Sequence, residues 1–149
     1  MTAIFVLAHA PLATAFLQVA MHVYPDCSDR LAAIDVAPDS DIIAIEQHLR
    51  AALAEHSAQE VLVLVDVVGA SPCNAAAKLS DLPNVGVVAG LNVSMLWRVL
   101  CYSNEPLDAL INRAVDGAKV GVQQVFRTKP KNLPQRRDNH AHDENSSQQ

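Results

Sequence analysis

Residues 60–72 read Glu-Val-Leu-Val-Leu-Val-Asp-Val-Val-Gly-Ala-Ser-Pro. The unbroken apolar run from Val61 to Val65, with valine at every second position, has the form of a strand buried on both faces. Such a strand belongs in the middle of a parallel sheet. Asp66 closes it, and Pro72 opens a helix expected to reach about Leu79.

The same alternation extends to both sides of this stretch. Toward the N-terminus, Thr2–Ala8 and Leu31–Val36 read as two more short strands. Between them Pro11 begins a helix with Leu12, Phe16, Val19 and Val23 at helical spacing, and Pro25 ends that segment. Asp39 or Ser40 can cap a second helix that buries Ile42, Ile45, Leu49 and Leu53. Toward the C-terminus, Val85–Ala89 is a fourth strand. Two helical patterns follow, Val93-Leu96-Leu100 and then Leu107-Leu110-Ile111-Ala114. Val120–Phe126 fits two states. It can extend the last helix, or form a fifth strand after Gly117 and Gly121 weaken that helix.

Strand and helix alternate four times, which specifies an α/β fold with a mainly parallel sheet. Four units cannot close a barrel, so a doubly wound sheet of order 2-1-3-4 is expected. A chain of 149 residues makes one domain, placed at residues 1–128, with a polar and disordered tail over 129–149. The net charge is −5, and Lys129, Lys131, Arg136 and Arg137 all fall in that tail, so the body is acidic. An acidic body without a basic stripe argues against nucleic acid as a partner. No apolar run is long enough for membrane insertion. The N-terminal apolar run lacks a basic flank and reads as a strand, not a signal peptide. Cys27, Cys73 and Cys101 are odd in number and include no CxxC pair, which suits a reducing cytoplasm and no structural zinc.

In an open parallel sheet, ligands bind beyond the carboxyl ends of the strands, where strand order reverses. Here that point lies between the first and third strands. His9 follows the first and Asp66 the third, with Gly69, Ala70 and Ser71 next along the chain. Two helix starts, at Pro11 and Pro72, are expected to point their free N–H groups into the same crevice. Asp66 can hold one ring nitrogen of His9 and make the other a better nucleophile, with Ser71 near the incoming phosphoryl oxygens. Asn92, past the fourth strand, is expected to cap the next helix and to edge the crevice together with Val68.

His9 and the run Asp66-Val67-Val68-Gly69-Ala70-Ser71-Pro72-Cys73-Asn74-Ala75-Ala76 resemble the IIA component of the mannose family of the sugar phosphotransferase system. Val87–Leu96 is similar to that family's fourth strand and following helix, and the likeness runs from about Thr2 to Phe126. It implies a phosphotransferase with a phosphohistidine at His9, supported by Asp66, with Ser71, Gly69 and Ala70 at the phosphate. The implied donor is HPr and the implied acceptor a IIB component or a regulatory target, with neither cofactor nor metal. It also implies a homodimer that exchanges a last antiparallel strand, here Val120–Phe126. The chain departs from the family pattern at Ala8 and Ala10 beside the histidine and at Val67, Val68 and Ala70. Val67 offers no hydroxyl, and Val68 takes an aromatic from the docking rim.

A related alternative is the phosphocarrier subunit of a phosphoenolpyruvate-dependent dihydroxyacetone kinase, which shares the early histidine. Ser71-Pro72-Cys73-Asn74 fits the mannose type better. A receiver-like or small-ligand regulatory module is the alternative of another class. A receiver needs acidic residues after the first strand to hold Mg²⁺, and Leu7-Ala8-His9 stand there instead. No glycine lies between the first strand and its helix, which excludes a dinucleotide fold. Cys73 reads as a small core thiol and not a nucleophile paired with His9. His22, His48 and His56 read as surface or capping residues, and Trp97 and Met95 as core or dimer contacts.

Overall fold

The computed structural model describes residues 2–27 and 29–127. Strands β1 (Thr2–His9), β2 (Leu31–Val36), β3 (Glu60–Val65) and β4 (Val85–Ala89) form one sheet in the order β2-β1-β3-β4. All three pairings are parallel, as the buried valine run requires, and β3 is apolar along Val61–Val65 with each of those residues buried. His9 pairs with Val36 at the end of β2, and Leu7 pairs with Val65 at the end of β3. The C-terminal ends of the two central strands therefore lie side by side.

Helices α1 (Leu12–Val23), α2 (Ile42–Glu55), α3 (Ser71–Ala77), α4 (Val93–Cys101) and α5 (Leu107–Val120) cover both faces. Alternation along β1 divides the core in two. Ile4, Val6 and Ala8 face α1, α4 and α5, whereas Ala3, Phe5 and Leu7 face α2 and α3. His9 continues the second series and so stands on the α3 side of the sheet.

The structure corrects several sequence expectations. The buried stripe of α1 is Ala13 and Ala20 with Phe16 and Leu17 beside them, while Leu12, Val19 and Val23 are exposed. Alanines let the helix lie close to the sheet, and hydropathy alone does not report that. α2 is capped at Asp41, not Asp39 or Ser40, and the Asp41 side chain makes no capping bond. The helix after β3 begins at Ser71, with Pro72 in its first turn, and ends at Ala77. A 3₁₀ turn, Lys78–Asp81, then carries Leu79 into the core.

Val120 ends α5, and residues 122–127 form no strand within the single chain. Gly117 lies within α5 and Gly121 is its C-cap, and both lie against α4. A Cβ at Gly117 would stand 2.8 Å from the Arg98 Cβ, and one at Gly121 2.5 Å from Ser94. Both glycines allow close packing on α4, and Gly117 does so without breaking the helix. The tail from residue 129, including His140 and His142, lies outside the described residues.

At the N-terminal end of the sheet Glu60 ties three elements together. Its Oε2 accepts the Thr2 hydroxyl at 3.1 Å and the Leu107 N–H at 3.2 Å. The second bond caps α5, whose N-cap residue is Pro106 and has no side-chain oxygen to offer.

Candidate functional site

β1 ends at His9 and β3 at Val65, so the parallel register brings Asp66 beside His9. The Asp66 Oδ2 lies 2.6 Å from His9 Nδ1 and also accepts the His9 backbone N–H at 3.0 Å. The other oxygen, Oδ1, accepts the Val67 N–H at 2.8 Å. Three donors thus hold one carboxylate.

Burial raises the Asp66 pKa, but the bonds from His9 and Val67 and the attraction of the His9 ring outweigh it. The net result lies below the ordinary carboxylate value. An ionised carboxylate can only accept hydrogen bonds, so Nδ1 carries the proton it receives, and in the neutral ring this leaves the lone pair on Nε2. The Asp66 side chain is 9% exposed and the His9 side chain 46%. The orienting charge is therefore sheltered while the imidazole stays open to a partner.

The loop after Asp66 is set by Gly69, whose φ of +83° is a left-handed conformation that suits glycine. Its carbonyl accepts the Asn74 side-chain N–H at 3.1 Å, which fastens the loop to α3. Ser71 opens α3 half-buried, and among the described residues its hydroxyl has no hydrogen-bond partner. Val67 and Val68 are exposed, Val68 at 76%. They follow Asp66 directly and leave two apolar side chains in solvent at the start of this loop.

Asn92 has the capping role expected of it. Asn92 caps α4, its Oδ1 accepting the Met95 N–H at 2.8 Å, and its amide donates to the Ala118 carbonyl at 3.1 Å. Both its polar atoms thus serve the α4–α5 pair. At the start of α1, Asp35 of β2 accepts the Thr14 N–H at 3.2 Å and the Thr14 hydroxyl. Asp35 and Thr14 went unread in the sequence, although Asp35 is the one charged residue in Leu31–Val36. Cys73 packs against the core on the α2–α3 side. Among the described residues no cluster of three or more His, Cys, Asp or Glu could hold a metal ion.

Residues 3–115 match the family model described as the PTS system fructose IIA component, of the mannose EIIA type. The chain belongs to the mannose/fructose-type IIA family of the phosphotransferase system. It is 33% identical over 101 residues to the mannose-specific EIIAB component of Escherichia coli K12, a match covering 65% of this chain. The match spans 31% of that relative's length.

Among solved structures, the fold is similar to the mannose/sorbose-specific IIA subunit from Enterococcus faecalis, with a TM-score of 0.77 and 23% identity. That likeness covers 87% of this chain and 98% of the other. It is also similar to the IIA protein associated with the fucose utilization operon of Streptococcus pneumoniae, with a TM-score of 0.73 and 26% identity. Coverage there is 83% and 93%. The strand order 2-1-3-4 expected of this IIA chain is the one observed. No helix among the described residues is long and apolar enough to cross a membrane.

Proposed function

We propose that this IIA protein is a phosphohistidine carrier that receives a phosphoryl group on Nε2 of His9. It acts in the cytoplasm as a homodimer, takes the group from phospho-HPr, and passes it to a IIB component or a regulatory target. The observation that carries this reading is the 2.6 Å contact between His9 Nδ1 and Asp66 Oδ2 beneath an exposed imidazole.

In the transfer, the Nε2 lone pair attacks the phosphorus of the donor's phosphoramidate in line with the bond that breaks. A new P–N bond forms at His9, and the donor imidazole leaves with the old bonding pair and takes a proton. Positive charge developing on the His9 ring is balanced by Asp66 through Nδ1. The Ser71 hydroxyl and the Gly69 and Ala70 backbone supply contacts to the phosphoryl oxygens. Positioning and electrostatics suffice for this step, so neither a nucleotide nor a metal is required of the chain. The exposed Val67 and Val68 side chains suit docking of a protein over a free imidazole.

The test is intact mass after incubation with phosphoenolpyruvate, enzyme I and HPr, comparing the native chain with His9→Ala. One added phosphate, labile in acid, stable in base and absent from the variant, is expected. No added phosphate on a folded native chain, with the same HPr shown to charge a known acceptor, overturns the proposal.

A further inference from the structure

Two carboxylates flank the end of β1, one from each neighbouring strand. Asp66, after β3, binds His9 itself. Asp35 in β2 pairs in register with Ala8 and continues the Leu31-Ala33 face that meets α1. Its Oδ1 accepts the Thr14 N–H at 3.2 Å, and its Oδ2 accepts the Thr14 hydroxyl.

α1 has no cap of its own. Its N-cap is Pro11, which offers no side-chain oxygen, and its first turn holds no acidic residue. Asp35 supplies the missing acceptor from another element, at the third helical position where a capping oxygen is normally received.

Only Ala10 and Pro11 separate β1 from α1. The Ala10 N–H donates to the Val36 carbonyl at 2.9 Å, so the link is tied to β2 at Ala10 and again at Thr14. A link this short cannot absorb a shift of the helix start. Any such shift reaches the His9 backbone N–H, and with it the 3.0 Å bond that holds His9 to Asp66.

We infer that Asp35 is a positioning residue for His9, acting through Thr14 and the first turn of α1 to keep the imidazole in register with Asp66. The rate arm of its test rests on the carrier function proposed above, and the ring-geometry arm does not.

The variants are Asp35→Ala, Asp35→Asn and Thr14→Val, in the full chain. Asp35→Ala should lower kcat for transfer from phospho-HPr about tenfold, the scale of a small misplacement, with KM for HPr nearly unchanged. Asp35→Asn keeps a carbonyl acceptor for the Thr14 N–H and should restore most of the rate. Thr14→Val loses only the hydroxyl and should fall between. By ¹⁵N NMR of the ring nitrogens, native His9 should show the Nδ1-protonated tautomer as the dominant neutral form. Asp35→Ala should show a mixture, and Asp35→Asn the native pattern.

A folded Asp35→Ala with native kcat and native tautomer ratio overturns the inference, as does Asp35→Asn impaired as badly as Asp35→Ala. If Asp35→Ala does not fold, Thr14→Val decides, and native values for rate and tautomer there overturn it. If the native chain accepts no phosphate, the carrier function fails. The tautomer comparison needs no donor and still judges Asp35.

Discussion

The Asp66 Oδ2 accepts two hydrogen bonds from His9, one from the backbone N–H at 3.0 Å and one from the ring Nδ1 at 2.6 Å. A single oxygen thereby couples the strand end to the imidazole, so the ring direction is fixed relative to the sheet. The direction of the imidazole thus follows in part from the parallel pairing of β1 with β3.

Asp66→Asn should therefore slow phosphoryl transfer without unfolding the protein. The amide is close in shape but carries no charge to balance the imidazolium that develops in transfer. It can also turn its NH₂ toward Nδ1 and so favour the wrong tautomer. Loss of an orienting carboxylate of this kind costs roughly 10²–10⁴-fold in rate. Rapid-quench phosphorylation followed by intact mass measures it, and a native rate in the folded variant would remove Asp66 from the mechanism.

The same bonds make stability depend on pH. The Asp66 carboxyl lies below its ordinary value of 3.8 in the folded state, so the native protein binds that proton less tightly than the unfolded chain. Its contribution is then fully present above the unfolded value and is lost as pH falls through the folded one. Asp81 and Glu105 are lowered too, by hydrogen bonds from Arg50 and Arg113, but they lie on the surface and are common to both chains compared. Urea midpoints measured from about pH 5 to pH 3 should fall more steeply for the native protein than for Asp66→Asn. Parallel curves would show that Asp66 holds no such stabilisation.

Most of the sheet was legible in the sequence because strands buried on both faces need unbroken apolar runs, and Val61–Val65 has few other uses. The positions of His9 and Asp66 followed from strand ends and strand order. What escaped was set by contacts between distant segments. The inward face of α1 is alanine because the helix lies near the sheet. Asp35 reaches Thr14 across 21 positions of sequence. The glycines of α5 matter through Ser94 and Arg98, which no local pattern connects to them.

Gly117→Ala tests the last of these. The added Cβ would stand 2.8 Å from the Arg98 Cβ and 3.2 Å from the Ser94 carbonyl oxygen, neither of which is the far end of a flexible chain. Overpacking of this kind costs about 1–3 kcal/mol, more than the gain of up to about 1 kcal/mol from alanine's helix propensity. A denaturant midpoint lower than native is expected. A raised midpoint would mean that α4 and α5 separate freely and that their close approach holds little energy.

Glu60 offers a stability prediction at the far end of the sheet from His9. Removing its carboxylate leaves the Leu107 N–H and the Thr2 hydroxyl without their acceptor. Glu60→Ala should cost about 1–3 kcal/mol, whereas Glu60→Gln keeps a carbonyl oxygen and should cost less. Both should transfer phosphate at the native rate while folded. Equal losses in the two variants would assign the effect to charge and not to the cap.

The segment after α5 bears on assembly. Val122, Val125 and Phe126 are 78%, 97% and 81% exposed in the single chain, and β4 is an edge strand with one side unpaired. Three large apolar side chains left in water forgo roughly 1.5–3 kcal/mol each. An open edge strand is a ready template for a further strand. Exchange of this segment between two copies satisfies both needs at once, which gives the proposed homodimer a physical basis. Sedimentation equilibrium at micromolar concentration should give a dimer mass for the native chain. The double substitution Val125→Asp with Phe126→Asp should give a monomer that keeps the native circular dichroism of its helices. A native chain that sediments as a monomer would mean the segment stays in solvent and the exchanged strand does not form.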